Sequence, residues 1–212
     1  DRAAENKWEK LMALCMEDLS SSNELYVPTN FWNPGVIQLI ENFEEYGIER
    51  FKDWPSSGFW FYPKYGQGYT KEIVNDLWGN LGIDMVGKQK RWFERQLSGA
   101  VDAYRDFDIA MAVWNKNNWN LDFDAIGESS VGMPTQVFSP KGRNGPSFGK
   151  SYLTYFLCLS ALSNHLDSKP RSFIEIGGGF GALGEIVLKQ DENSFNMNVD
   201  IPPLVVISSY YL

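Results

Sequence analysis

One histidine, His165, and two cysteines, Cys15 and Cys158, leave this 212-residue chain with few of the side chains that most often bind metals or act as nucleophile and base. No metal-ligand spacing surrounds either cysteine, and no metal site is expected. Both cysteines fall in apolar helical patterns, where a free thiol behaves as a small hydrophobe, and they agree with a reducing cytoplasm as the expected location. Positive charge is also scarce. Nineteen Lys and Arg stand against 27 Asp and Glu, a formal net charge of −8, which argues against an electrostatic footprint for DNA or RNA. No run approaches the roughly 18 apolar residues needed to span a membrane. The opening Asp1-Arg-Ala-Ala-Glu-Asn-Lys7 has neither a basic leader nor an apolar signal core. It does not begin with Met, so a trimmed or excerpted chain is expected.

What is present is concentrated near the end. In Phe173-Ile-Glu-Ile-Gly-Gly-Gly-Phe-Gly-Ala-Leu-Gly184 an apolar strand breaks into glycines and then enters a helical pattern. Without a Cβ, Gly177, Gly178, Gly179 and Gly181 let the main chain turn sharply and let a ligand approach it closely. About twenty residues on, a second strand-like segment ends in Asp200, the spacing at which a carboxylate meets ribose hydroxyls in a βαβ unit. Two registers compete. Gly179-Phe-Gly181-Ala-Leu-Gly184 fits the dinucleotide pattern G-x-G-x-x-G, whereas Glu175-Ile-Gly177-Gly-Gly179-Phe-Gly181 fits the first motif of S-adenosylmethionine-dependent methyltransferases. The strand runs directly into Gly177, which favours the second register. That register also gives Glu175 a task, because a carboxylate beside the glycines can bind an ammonium group that nicotinamide dinucleotides lack.

The segment Ser172 to Glu185, followed by Val199-Asp-Ile-Pro-Pro203 and Ser208-Ser-Tyr-Tyr-Leu212, resembles the sugar O-methyltransferase family of bacterial polysaccharide gene clusters. The likeness is firmest over about Ser147 to Leu212 and weaker in Glu128-Ser-Ser-Val-Gly-Met-Pro134. It implies a class I methyltransferase with S-adenosyl-L-methionine as cofactor and a sugar or glycan hydroxyl as acceptor. Glu175 and the glycines would form the cofactor turn, Asp200 would be the ribose ligand, and Ile201 an apolar wall for adenine. The alternatives are a nicotinamide-dependent sugar-modifying oxidoreductase and a non-catalytic cofactor- or partner-binding module. Homo-oligomerisation is left open.

The fold expected is α/β. An α-helical lobe over 1–120 leads through a connecting region at 121–150 to the start of a Rossmann-like sheet at 151–212. Helices are predicted at Ala4 to Leu19, Pro34 to Glu45 with Asn33 as N-cap, Lys71 to Leu81, Lys88 to Asn115 and Tyr152 to His165. Strands at Ser172 to Ile176 and Phe195 to Val199 alternate with helices at Ala182 to Lys189 and from Pro203, which implies a parallel pair. A methyltransferase sheet carries more strands than two. The natural protein is therefore expected to continue past Leu212, with the catalytic base on that continuation and no methylation by these 212 residues alone.

Other candidates have plainer readings. His165 ends a predicted helix, where an imidazolium interacts with the helix C-terminus, and is not read as a catalytic base. Most of the eight tryptophans sit at helical apolar spacing and are expected in the core. Trp60, in the run Phe59-Trp-Phe-Tyr62, lacks helical period and is a candidate for an acceptor surface; the run, or the loop after it, is read as a short hairpin. Glu128, Arg143 and Lys150 are candidates to close over the cofactor.

Overall fold

A computed structural model describes residues 2–66, 71–80, 87–114, 119, 122–142 and 144–212, with the backbone alone for residues 2–6, 71, 72 and 74. Among them the chain runs through α1 (Arg2–Ser21), α2 (Asn33–Tyr46), α3 (Ser57–Trp60), α4 (Lys71–Asn80), α5 (Lys88–Leu97), α6 (Ala100–Trp114) and α7 (Lys150–Ser163). Then come β1 (Ser172–Ile176), α8 (Ala182–Gln190), β2 (Phe195–Val199) and α9 (Pro202–Tyr211). The fold is mixed α/β, with β1 and β2 parallel and in register from Ser172 opposite Phe195 to Ile176 opposite Val199. The ladder reaches one residue further, where the Gly177 N–H donates to the Val199 carbonyl at 2.8 Å.

Several helix expectations need correction. The span Lys88 to Asn115 is two helices, because Gly99 takes φ +75° and its backbone packs so closely on Tyr65 that a Cβ there would overlap it. Its last residue, Asn115, lies outside the described residues, as does Leu81 of the predicted 71–81 helix. The aromatic run is no hairpin, since Phe59 and Trp60 end the short helix α3. The loop after it is described only as far as residue 66. Asn33 lies inside α2 with Pro34 in its first turn, and Trp32 takes the cap position. Cys158 is exposed on α7 rather than packed, and Cys15 is only half-buried; both thiols are free.

The described residues divide into two compact units that are interleaved in sequence and do not follow boundaries at 120 and 150. One comprises Asp1–Phe61, Ser129–Pro134 and Pro170–Leu212. Within it α1 lies along α9, α8 packs on β2, and Leu39, Phe51, Ile186, Val206 and Ile207 form a core excluded from solvent. The hexapeptide Ser129–Pro134 is held in this unit by the Lys52 N–H, which donates to the Gly132 carbonyl at 2.9 Å. A buried polar chain holds it as well. The Lys52 ammonium donates to the Ser129 carbonyl at 3.2 Å and to the Tyr211 hydroxyl at 3.3 Å, and Tyr211 donates in turn to Glu185. Glu185 also accepts from the Ser129 N–H at 3.1 Å and pairs with Lys189 at 2.6 Å. The Lys52 charge lies over the Tyr211 ring, 4.3 Å from its centre, so a fully buried cation keeps partners of opposite polarity.

The second unit comprises Tyr62–Glu128 and Thr135–Lys169. Here α6 packs along α7, with Ala103, Phe107, Ala110, Phe148, Leu153 and Phe156 between them and the adjoining loop. The expected extended connection contains one antiparallel bridge, Phe138 with Phe148, and buried Tyr62 donates its hydroxyl to the Gln136 carbonyl at 2.8 Å. Of the tryptophans, Trp54, Trp78, Trp114 and Trp119 are buried as expected, while Trp92 is exposed.

Candidate functional site

The turn between β1 and α8 takes the conformation its glycines permit: Gly177, Gly179 and Gly181 have φ of +75°, +58° and +92°. Gly181 caps α8, and a Cβ on it would come within 3.1 Å of Leu212, which follows α9. Gly178 is buried on the opposite side, where a Cβ would meet the Asn198 amide oxygen at 2.6 Å and the Glu175 carboxyl at 2.7 Å. Gly184 is needed for close approach as well, since a Cβ would meet the Asn196 amide of β2 at 2.7 Å. Gly177 faces open space, with no atom near the position its Cβ would take.

The N–H groups of this turn are turned inward. Gly177 donates to Val199, Gly178 to the Asn198 side chain at 3.2 Å, Gly179 to the Asp200 carboxylate at 2.7 Å and Gly181 to the Gly178 carbonyl at 3.2 Å. Asn198 returns a bond from its amide to the Gly179 carbonyl at 3.1 Å. The turn is therefore braced by β2, and it does not offer these donors to an anion as a phosphate-binding loop does.

Asp200 sits at the end of β2 and accepts from the Gly179 N–H through one oxygen and from the Ile201 N–H, at 2.8 Å, through the other. It does not cap α9, whose cap position is taken by Ile201. Burial pushes its carboxyl above the usual carboxylate range, and the Ile201 and Gly179 N–H groups partly hold it back. An ionised carboxylate has about four acceptor positions, so two donors leave room for two more.

A cavity of about 490 Å³ opens at the strand ends, where Ile176, Gly177, Gly179, Val199, Asp200, Ile201 and Leu204 line it. The N-terminal segment supplies the rest of the lining through Phe31, Trp32, Phe59 and Trp60. These four rings stand in a row. Ring centres are 4.9 Å apart for Phe31 and Trp32, 5.6 Å for Trp32 and Trp60, and 5.1 Å for Trp60 and Phe59. Phe31 and Phe59 are each 73% exposed and Trp32 is 42% exposed, so the row is surface rather than core. Trp60 is seated on the backbone of Gly35, which a Cβ would displace.

The expected site residues thus separate. Gly177, Gly179, Asp200 and Ile201 meet at the cavity together with Trp60 and Phe59. Glu175, Gly178 and Gly181 brace the turn and are not among the lining residues, and Glu175 shares the half-buried face of β1 with Phe173. Glu128 and Lys150 belong to the other unit, where Glu128 accepts from the Gly149 N–H at 2.6 Å and Lys150 stands over the Tyr65 ring. Arg143 lies outside the described residues. Sequence reasoning missed Asn198, which looked like an ordinary strand residue, and the partnership of Phe31 and Trp32 with Trp60. The spacing of 28 residues between Trp32 and Trp60 carries no local period that would have paired them. Among the described residues no group of three His, Cys, Asp or Glu is placed to hold a metal, and no helix is long and apolar enough to cross a membrane.

Comparison with protein-family models, with curated proteins and with solved structures gave no match to this chain.

Proposed function

We propose that the chain carries the cofactor site of an S-adenosyl-L-methionine-dependent methyltransferase of Rossmann-like type, acting on a sugar hydroxyl in a reducing compartment. The observation that carries this reading is the meeting of a positive-φ glycine turn and Asp200 at the carboxyl ends of two parallel strands, opening on one cavity. That is where ligands bind in open α/β sheets. The cavity volume falls within the range of small-molecule sites, and the open space beside Gly177 is the approach a cofactor's main-chain contact requires.

Within this reading each residue has a separable task. Asp200 accepts the ribose hydroxyls with the positions left after Gly179 and Ile201 are served, so ligand and turn are held by the same carboxylate. Ile201 and Leu204 supply apolar surface for the adenine. Glu175 acts beneath the turn, positioning Gly178, instead of contacting the ligand directly. The bound cofactor supplies an activated methyl group; the protein's contribution is alignment and exclusion of water. A nicotinamide dinucleotide fits less well. Its pyrophosphate needs donors, and the N–H groups of Gly177, Gly178, Gly179 and Gly181 are spent within the protein.

Thermal unfolding with and without ligand tests the assignment. A ligand present at 100 times its Kd stabilises the native state by about 2.7 kcal/mol. S-adenosylhomocysteine is expected to raise Tm and NAD to leave it unchanged; the reverse would return the chain to the oxidoreductases. Silence from both ligands would leave the binding-module reading.

A further inference from the structure

We infer that the aromatic row Phe31, Trp32, Trp60 and Phe59 reads the charge of the ligand, so that the cavity holds a cationic sulfonium in preference to a neutral thioether. This rests on the adenosyl-ligand reading above and adds to it the element that discriminates the two forms of that ligand.

Three observations point the same way. The only charged side chain among the described residues lining the cavity is Asp200, and neither Lys nor Arg is among them. The N–H groups of Gly177, Gly178, Gly179 and Gly181 are committed to acceptors within the protein and are not offered to an anionic ligand. Phe31, Trp32 and Phe59 remain substantially exposed beside the half-buried Trp60 at a cavity lined mostly by apolar residues, and Trp32 and Trp60 are tilted 42° to each other. Aromatic faces carry negative quadrupolar potential and attract cations within about 6 Å of the ring centre, Trp most strongly. A carboxylate, two indoles and no base together favour positive charge and disfavour phosphate.

The consequence is directional. When a methyl group passes from the sulfonium to an acceptor hydroxyl, the carbon–sulfur bond breaks, its electron pair stays on sulfur, a carbon–oxygen bond forms and the hydroxyl proton is released. The cofactor leaves as an uncharged thioether. A wall that favours the cation holds reactant more firmly than product, which hastens discharge of the product and limits inhibition by it.

The test is calorimetric titration of the full chain with S-adenosylmethionine and, separately, S-adenosylhomocysteine, in wild type, Trp32→Leu, Trp32→Phe and Asp200→Ala. Trp32→Leu is expected to weaken S-adenosylmethionine by roughly two- to thirtyfold and to leave S-adenosylhomocysteine unchanged. Trp32→Phe, which keeps a π face, should recover part of the loss. Asp200→Ala should weaken both ligands, S-adenosylmethionine the more, because it removes the ribose acceptor and also the one negative charge in the described lining. If Trp32→Leu weakens both ligands equally, or neither, charge reading by the aromatic row is wrong while the adenosyl site stands. If wild type binds neither ligand, the site reading fails and this inference with it. Circular dichroism of each variant separates loss of the wall from loss of the fold, and Trp32, at the cap of α2, is the more exposed of the two indoles.

Discussion

Asp200 is asked to hold the glycine turn in place and to remain an acceptor for a ligand, and its burial sets these tasks against each other. Its carboxyl titrates above the usual range because desolvation disfavours the anion. Between the unfolded and folded pKa values the native state binds more protons than the unfolded chain. The contribution of this group to stability is therefore fully present below the unfolded value and is lost as pH rises through the folded one. Ligand binding runs the other way, since only the anion accepts hydroxyl donors with all its lone pairs. Affinity for S-adenosylhomocysteine should fall on acidification at a higher pH than an ordinary aspartate would give, and a titration series in Asp200→Asn should lose that step. At neutral pH Asp200→Ala should weaken binding at least about tenfold, since each charge-assisted hydrogen bond contributes about 1.5–3 kcal/mol. Gly178 makes a steric prediction: Gly178→Ala pushes a methyl against Asn198 and Glu175, and overpacking of this kind destabilises by about 1–3 kcal/mol. Urea unfolding giving a wild-type midpoint would show that the bracing around Gly178 is loose.

Helix α8 carries a buried charge and, one turn further on the same side, a partly solvated one. Glu185 is buried and receives Tyr211, the Ser129 N–H and Lys189, whereas Lys189 is partly exposed. Removing one member of a buried charged network leaves the others uncompensated. Glu185→Leu should therefore cost about 3 kcal/mol, while Lys189→Ala should cost under about 1 kcal/mol in chemical denaturation. Equal losses would mean that the pair behaves as a surface contact. At this scale much was legible in sequence. The alternation of β1, α8, β2 and α9 could be read because strand length, glycine turn and helix period are local signals, and their boundaries agree within a residue or two. The break at Gly99 was visible only as a weakness, because the close packing on Tyr65 that fixes it is not local. Phe31, Trp32 and Asn198 were illegible as site residues for the same reason. Phe31 and Trp32 are recruited by the tertiary approach of the α2 and α3 segments to the strand ends, and Asn198 by the pairing of β2 beside the glycine turn; no spacing along the chain encodes either.

On the whole molecule, the alternation of the two strands is inverted relative to a covered sheet. Ile174, Ile176, Phe195, Met197 and Val199 share the exposed face, and Phe173, Glu175, Asn196 and Asn198 share the face toward α8. Parallel sheets are ordinarily covered on both faces, and a contiguous apolar surface of this kind binds apolar dyes. Ile174→Lys combined with Met197→Lys should reduce fluorescence of anilinonaphthalene sulfonate without lowering Tm, because neither side chain is in the core; a lowered Tm would mean that the face is packed after all. Interleaving of the two units has a different consequence, one of timing. The chain passes between them after Phe61, Glu128, Pro134 and Lys169. During vectorial synthesis α1 emerges well before its partner α9, which lies about 180 residues further along the chain. At about 5–20 residues per second, the N-terminal helices wait on the order of ten seconds for the strand pair and α9 that complete their core. The second unit, whose residues all lie between those two ends, can close in the meantime. An amphipathic helix left in waiting is a surface for chaperones, and synthesis of the segment from β1 to α9 is the step that removes it.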